Sequence, residues 1–236
     1  DIPFSPEDEI TTHLKELVDH PGANQIESFA NGKVKLVSVK AKKKGKLVGR
    51  ELKGIKEDMP DIDAFVASIY RKGSPFIPSG DTIIKENDEV YFISSESNIG
   101  PIVDEFRDHE EQYSRIMIVG GGKVGFSLAK DIEKDYNVKL IDSNNERCKV
   151  LSKELEKTIV LNGSATDESL LKSENIVNID IFCALTDDDE TNVMSSLLAK
   201  KMGAKKTMII LNNPSYLGLV PGFIDVYIAP YRLTVS

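Results

Sequence analysis

Tryptophan is absent from these 236 residues, and cysteine occurs twice, at Cys148 and Cys183. Two thiols far apart in the chain, with no histidine cluster beside either, exclude a disulfide framework and a zinc site of familiar spacing. They suit a reducing compartment. Histidine is equally scarce, at His13, His20 and His109. No apolar run approaches the ~18 residues of a membrane span, so an integral membrane protein is not expected. The start, Asp1 to Asp8, has neither a basic nor an apolar region of the secretory kind. The missing initiator Met predicts a piece of a longer chain. Positive charge is also lacking: the net charge of -8 opposes unspecific attraction to nucleic acid or anionic lipid.

What remains is ordinary globular material, 40% hydrophobic and 29% charged, long enough for two modest domains. Ser5-Pro6-Glu7-Asp8 followed by Ile10, Leu14, Leu17 and Val18 reads as a capped helix with one apolar face, stopped by Pro21-Gly22. Val34, Leu36 and Val39 alternate. Residues 62–70 and 89–93 read as strands, separated by turn signals at Lys72-Gly73 and at Pro78 to Asp81. This predicts a small α+β module of roughly ninety residues. The Lys42 to Lys46 run reads as a solvated hairpin tip. The charged stretch from Arg107 to Gln112 reads as a linker.

From Arg115 strands alternate with helices. Strand candidates are 116–119, 138–141, 158–161, 179–185, 207–211 and 226–229, with helical patterns such as Val124, Leu128, Ile132 and Cys148, Leu151, Leu155 between them. Short, nearly continuous apolar strands separated by amphipathic helices imply a parallel sheet covered on both faces. The fold class is therefore α/β: a Rossmann-like doubly wound parallel sheet preceded by a small α+β domain.

Directly after the first of these strands stands Gly120-Gly121-Gly122-Lys123-Val124-Gly125, a G-x-G-x-x-G turn opening a helix. Gly120 permits the tight turn, Gly122 lets a pyrophosphate approach the backbone, and Gly125 allows close packing of helix on strand. The helix start at Lys123 and Val124 offers unpaired amides and a positive dipole end. Alone this triplet is weak, but the second strand ends in Asp142, 17 residues after Gly125. A carboxylate there accepts the hydroxyls of an adenosine ribose and repels a 2′-phosphate, favouring NAD(H) or a simple adenine nucleotide over NADP(H). Two further strand ends face the same crevice: Gly163-Ser164, able to border the adenine or its ribose, and Ala184-Leu185-Thr186, where a run of acids follows. Asp187 to Asp189 read as a capped helix start. A ligand or subunit contact by Thr186, Glu190 or Asn192 is the alternative.

These residues resemble the RCK/KTN family, the cytoplasmic regulators of potassium channels and transporters. Ile116 to Gly122, Lys134 to Ile141 and Ala184 to Asn192 through Ala204 resemble its nucleotide-binding half over 112–236. Residues 22–106 resemble its smaller C-terminal half, with Asn87 to Ile93 as the closing strand. The resemblance implies Gly120, Gly122 and Gly125 at the phosphates and Asp142 at the ribose, with ATP or ADP possible at the same site. It also implies residues 1–21 as the last strand and crossover helix of a preceding nucleotide-binding half, and 107–111 as linker. Asp1 to Pro6 mirrors Asp225 to Pro230, as a tandem repeat would. Two departures stand out. The third strand runs into Gly163-Ser164 where the family has Gly-Asp, and the fifth ends in Asn212-Asn213 where an Arg is frequent.

The function so implied is a cytoplasmic regulatory subunit, peripheral to the inner face of the membrane. It would be homo-oligomeric, partnered by a potassium-translocating membrane subunit of the TrkH/TrkG kind, and gate potassium flux without being an enzyme. An NAD-dependent oxidoreductase is the rival, since the fold serves many dehydrogenases. A structural ring subunit with a vestigial site is the third reading. Against the enzyme, the three histidines fall in helix or linker contexts and no Tyr-x-x-x-Lys pair stands beside the sheet.

Overall fold

The computed structural model describes residues 5–60, 62–107, 113–218 and 224–230. The chain divides into two units, one of residues up to 15 with those from 113 onward, the other of residues 16–112. Helix α1 (Pro6–Asp19) runs continuously across that division. The Ser5 carbonyl accepts the amides of Asp8 and Glu9, and Glu7, Asp8 and Glu9 place negative charge at the positive end of the helix. Its apolar stripe, Ile10, Leu14, Leu17 and Val18, is buried as its spacing requires. Of the strand expected over 1–6, residues 1–4 lie outside the described residues, and Pro6 already belongs to the helix. Of the expected linker, 108–111 lie outside them.

The 16–112 unit is a five-stranded antiparallel sheet with two helices. Its elements are β1 (Ala23–Phe29), β2 (Val34–Lys40), α2 (Leu52–Asp58), β3 (Ala64–Arg71), β4 (Ser74–Phe76), β5 (Glu89–Ser94) and α3 (Glu96–Phe106). The strand order is β1-β2-β5-β3-β4. One sheet face carries Val37, Val39, Ile69, Val90 and Phe92, and α3 supplies Ile99, Ile102, Val103 and Phe106; all are buried. The rings of Phe92 and Phe106 stack with centroids 6.5 Å apart. The β1–β2 hairpin turns at Ala30-Asn31-Gly32, all three with positive φ. The lysine run is therefore not a hairpin tip. Lys42 to Lys44 are exposed in the turn leaving β2, where the Lys42 amide donates to the Phe106 carbonyl at 2.9 Å. Gly45 follows because a Cβ there would come within 2.6 Å of that same carbonyl.

In the other unit the order is β6 (Arg115–Val119), α4 (Lys123–Ile132), β7 (Asn137–Asp142), α5 (Asn145–Glu154), β8 (Ile159–Asn162), α6 (Glu168–Ser173), β9 (Ile181–Ala184), α7 (Asp189–Lys201), β10 (Lys206–Ile210) and β11 (Val226–Ile228). The six strands pair in the order β11-β10-β9-β6-β7-β8, all in parallel. This is the doubly wound sheet expected from the alternating pattern. The central strands β9 and β10 are buried at every position, as strands covered on both faces must be. Strand order reverses between β6 and β9, which opens a crevice at their carboxyl ends.

At the opposite edge of the sheet Asp180 is fully buried. Its carboxylate accepts the amides of Ser114 and Arg115 at 3.0 and 2.9 Å and pairs with the side chains of Arg115 and Lys205. Burial alone would raise its pKa, but these donors together hold it down to about 2.

Candidate nucleotide-binding site

Gly120 takes φ +97°, in the left-handed region that favours glycine, and turns the chain out of β6. A Cβ on it would also crowd Leu185 and Thr186 at 3.0 Å, so the end of β9 abuts the turn. Gly125 carries the tightest constraint, since a Cβ there would lie 1.9 Å from the Gly120 carbonyl oxygen. By contrast, Gly122, the residue that opens α4, has nothing within 4 Å of the Cβ position, and its backbone faces open space. The amides of the first α4 turn have no carbonyl partner within their own helix, an arrangement able to receive an anion.

Asp142 closes β7 on the other side of the turn. Its Oδ2 accepts the Gly121 amide at 2.6 Å and its Oδ1 the Asn144 amide at 2.8 Å. The carboxylate is thus held in one orientation with lone pairs left for further donors. Arg147, one turn into α5, donates from Nε to the Gly121 carbonyl at 2.6 Å, and its guanidinium lies 5.7 Å from the centroid of the Phe126 ring. Both backbone polar groups of Gly121 are therefore gripped by side chains from the adjoining β7–α5 segment.

The acid-rich segment after β9 braces the crevice. Asp188 caps α7 by accepting from the Thr191 amide and hydroxyl. Asp189 accepts the amides of Asn212 and Asn213 and so ties the end of β10 to α7. Asn192 is fully buried. Its Oδ1 accepts from the Thr186 amide and hydroxyl at 3.0 and 2.7 Å, while Nδ2 donates to the carbonyls of Thr186 and Ile210. Glu190 bonds the Tyr216 hydroxyl.

Together these elements line a crevice of about 970 Å³. Of the residues picked from sequence, Gly120, Gly122, Lys123, Val124, Asp142, Gly163, Ser164, Leu185 and Thr186 lie on its wall. Gly125 packs beneath the turn, and Ala184 is buried within β9. Arg147, Asn212, and Pro6, Glu7 and Ile10 of α1 join the wall without having been picked as site residues. A strand-end acid with an Arg five residues on was the one signal available for Arg147.

The comparisons with known proteins agree on the kinship. Residues 116–228 match the TrkA-N domain model and residues 36–107 the TrkA-C domain model. The chain belongs to the TrkA family. It is 48% identical over 237 residues to the Trk system potassium uptake protein TrkA of Halomonas elongata, covering 100% of this chain and 52% of that protein. It is 49% identical over 234 residues to the Vibrio alginolyticus protein of the same name, covering 99% of this chain and 51% of that one. The chain thus spans about half the length of these TrkA relatives. Among solved structures, the GsuK RCK domain superposes with a TM-score of 0.62 at 16% identity, over 97% of this chain and 49% of that chain. The GsuK channel bound to NAD gives 0.62 at 16% over 94% and 40%. At such identity the likeness shows the fold alone, a Rossmann-like unit and an α+β unit.

Proposed function

We propose that this chain is the sensing part of a potassium-uptake regulator. NAD(H) or an adenine nucleotide binds in the Gly120–Asp142 crevice, and its occupancy alters potassium flux through a membrane subunit. The observation that carries the reading is the opening in front of Gly122 beside the oriented Asp142 carboxylate. A pyrophosphate fits the first and ribose hydroxyls the second, with Gly163 and Ser164 bordering the adenine. The names of the relatives support the transport context, and the NAD-bound channel of like fold supports the ligand class.

A binding role without turnover is favoured over hydride-transfer chemistry because acid groups at the turn are engaged in holding the fold: Asp142 accepts the Gly121 and Asn144 amides, Asp188 caps α7, and Glu7 accepts from Ser5 and Lys123. No helix among the described residues is long and apolar enough to cross a membrane. Attachment at the inner face of the membrane therefore rests on protein contacts with a potassium-translocating partner. Self-association belongs to the same reading, supported by Phe65, Tyr70 and Ile93 exposed along β3 and β5. Calorimetric titration with NADH and ADP tests the site. Saturable binding without turnover is expected, turnover would make the chain an enzyme, and no binding would make the crevice vestigial.

A further inference from the structure

Lys123 stands at the mouth of the glycine turn, the place where its charge would serve a ligand phosphate. Its ammonium is already engaged. Nζ lies 2.6 Å from Ser5 Oγ, 3.4 Å from Glu7 Oε2 and 3.8 Å from Asp8 Oδ1, all at the start of α1. The Ser5 hydroxyl in turn donates to Glu7 at 2.6 Å. Glu7 is held below the usual carboxylate range by that hydroxyl first, with its own backbone amide and Lys123 adding to the effect. Asp187 and Asp188 line the same crevice beyond Thr186. At the mouth of the turn the one ammonium is paired with two carboxylates, Glu7 and Asp8, whereas Asp142 lies at the end of β7.

We infer that Glu7 is a specificity-determining residue of the crevice, selecting adenine dinucleotides and diphosphates against nucleoside triphosphates. The inference rests on the nucleotide reading above and deepens it. A diphosphate bridge ends its charge at the α4 amides, and a dinucleotide continues from there with a neutral ribose and a base. A triphosphate instead carries one more anionic group onward, to where Lys123 is neutralised and carboxylates predominate. Like charges at such range repel, by an amount that solvent and salt reduce. The Glu7 side chain is 46% exposed. It can therefore be exchanged without opening the core, although as an acid in the first turn it also favours the helix.

The test separates those two roles. NADH, ADP and ATP are titrated calorimetrically against wild-type chain, Glu7→Gln and Glu7→Asp in EDTA, so that no divalent cation bridges carboxylate and phosphate. Thermal melts confirm that each variant is folded. Wild type is expected to bind NADH and ADP more tightly than ATP, with the ratio narrowing as salt rises. Glu7→Gln should tighten ATP about three- to tenfold while moving NADH less than twofold, and Glu7→Asp should keep the wild-type ratio. Equal changes for ATP and NADH, or wild-type ATP affinity matching ADP, would overturn the inference while leaving the nucleotide site standing. Binding of none of the three by wild type would overturn both.

Discussion

Asp142 and Gly121 are joined by a 2.6 Å hydrogen bond from the Gly121 amide to the carboxylate. The carboxylate that would read the ribose is thus also a clamp on the phosphate turn, and the two halves of the site hold each other in place. Neither can be changed without moving the other.

From that clamp follows a discrimination between cofactors. NADPH should bind at least about tenfold more weakly than NADH, because its 2′-phosphate would meet Asp142. Asp142→Asn should narrow the gap and, by setting an NH2 against an amide donor, cost about 1–3 kcal/mol of stability. Fluorescence titration of the reduced cofactors and urea unfolding check the two parts. Equal affinity of wild type for both cofactors would remove Asp142 from the ribose.

Gly122 and Gly125 should respond in opposite ways. Gly122→Asp meets open space at φ -64° and should leave the fold intact, yet it places a carboxylate at the phosphate position and should abolish nucleotide binding. Gly125→Ala drives a Cβ into the Gly120 carbonyl and should destabilise the domain by about 3 kcal/mol. Melting curves and calorimetry on both variants distinguish the outcomes. An unfolded Gly122→Asp or a fully stable Gly125→Ala would contradict the assignment.

Asn192 should matter to binding without lining the crevice. Asn192→Ala removes the partner of the Thr186 amide and carbonyl and of the buried Ile210 carbonyl, an expected loss of about 2–4 kcal/mol. Because Thr186 abuts Gly120, nucleotide affinity should fall as well. A variant that loses stability but binds NADH at wild-type affinity would show that the loop keeps its place without Asn192.

Stability should depend on Asp180 in acid. Its folded pKa, about 2, lies below the ordinary carboxylate value. Its contribution is therefore complete above roughly pH 4 and is lost as pH falls towards 2. Asp180→Ala, which removes the acceptor of the Ser114 and Arg115 amides while leaving the half-exposed Arg115 and Lys205 side chains to solvent, should cost about 1–3 kcal/mol at neutral pH and flatten the acid limb of the stability profile. An unaltered acid limb would place the titrating group elsewhere.

Much of the architecture was legible in the chain because the signals are local. Strand and helix periods in 115–229, the glycine turn and Asp142 at the end of the second strand depend on residues close in sequence. Helix α3 was hidden by Gly100-Pro101, which reads locally as a turn. Its Ile99, Ile102, Val103 and Phe106 form a helix by packing on the sheet, and packing outweighs propensity. Strand β1 carries only Ala23, Ile26 and Phe29 as apolar residues, and pairing with β2 makes it a strand. The acid run at 187–189 announced a helix cap, and Asp188 is that cap. Asp189 turns its carboxylate instead to the amides after β10, a partner no local pattern could name.

The sequence by itself determined the shape of the turn after β6, because it depends on glycine at three neighbouring positions: Gly120 for its positive φ, Gly125 for close packing and Gly122 for the open space before it. Only the tertiary structure decided which side chains surround that opening. Lys123 meets Ser5 across 118 residues of chain, and Arg147 meets Gly121 across 26. Contacts of that span carry no local periodicity. They arise when a parallel sheet gathers successive strand ends at one edge and α1 is laid along the same crevice.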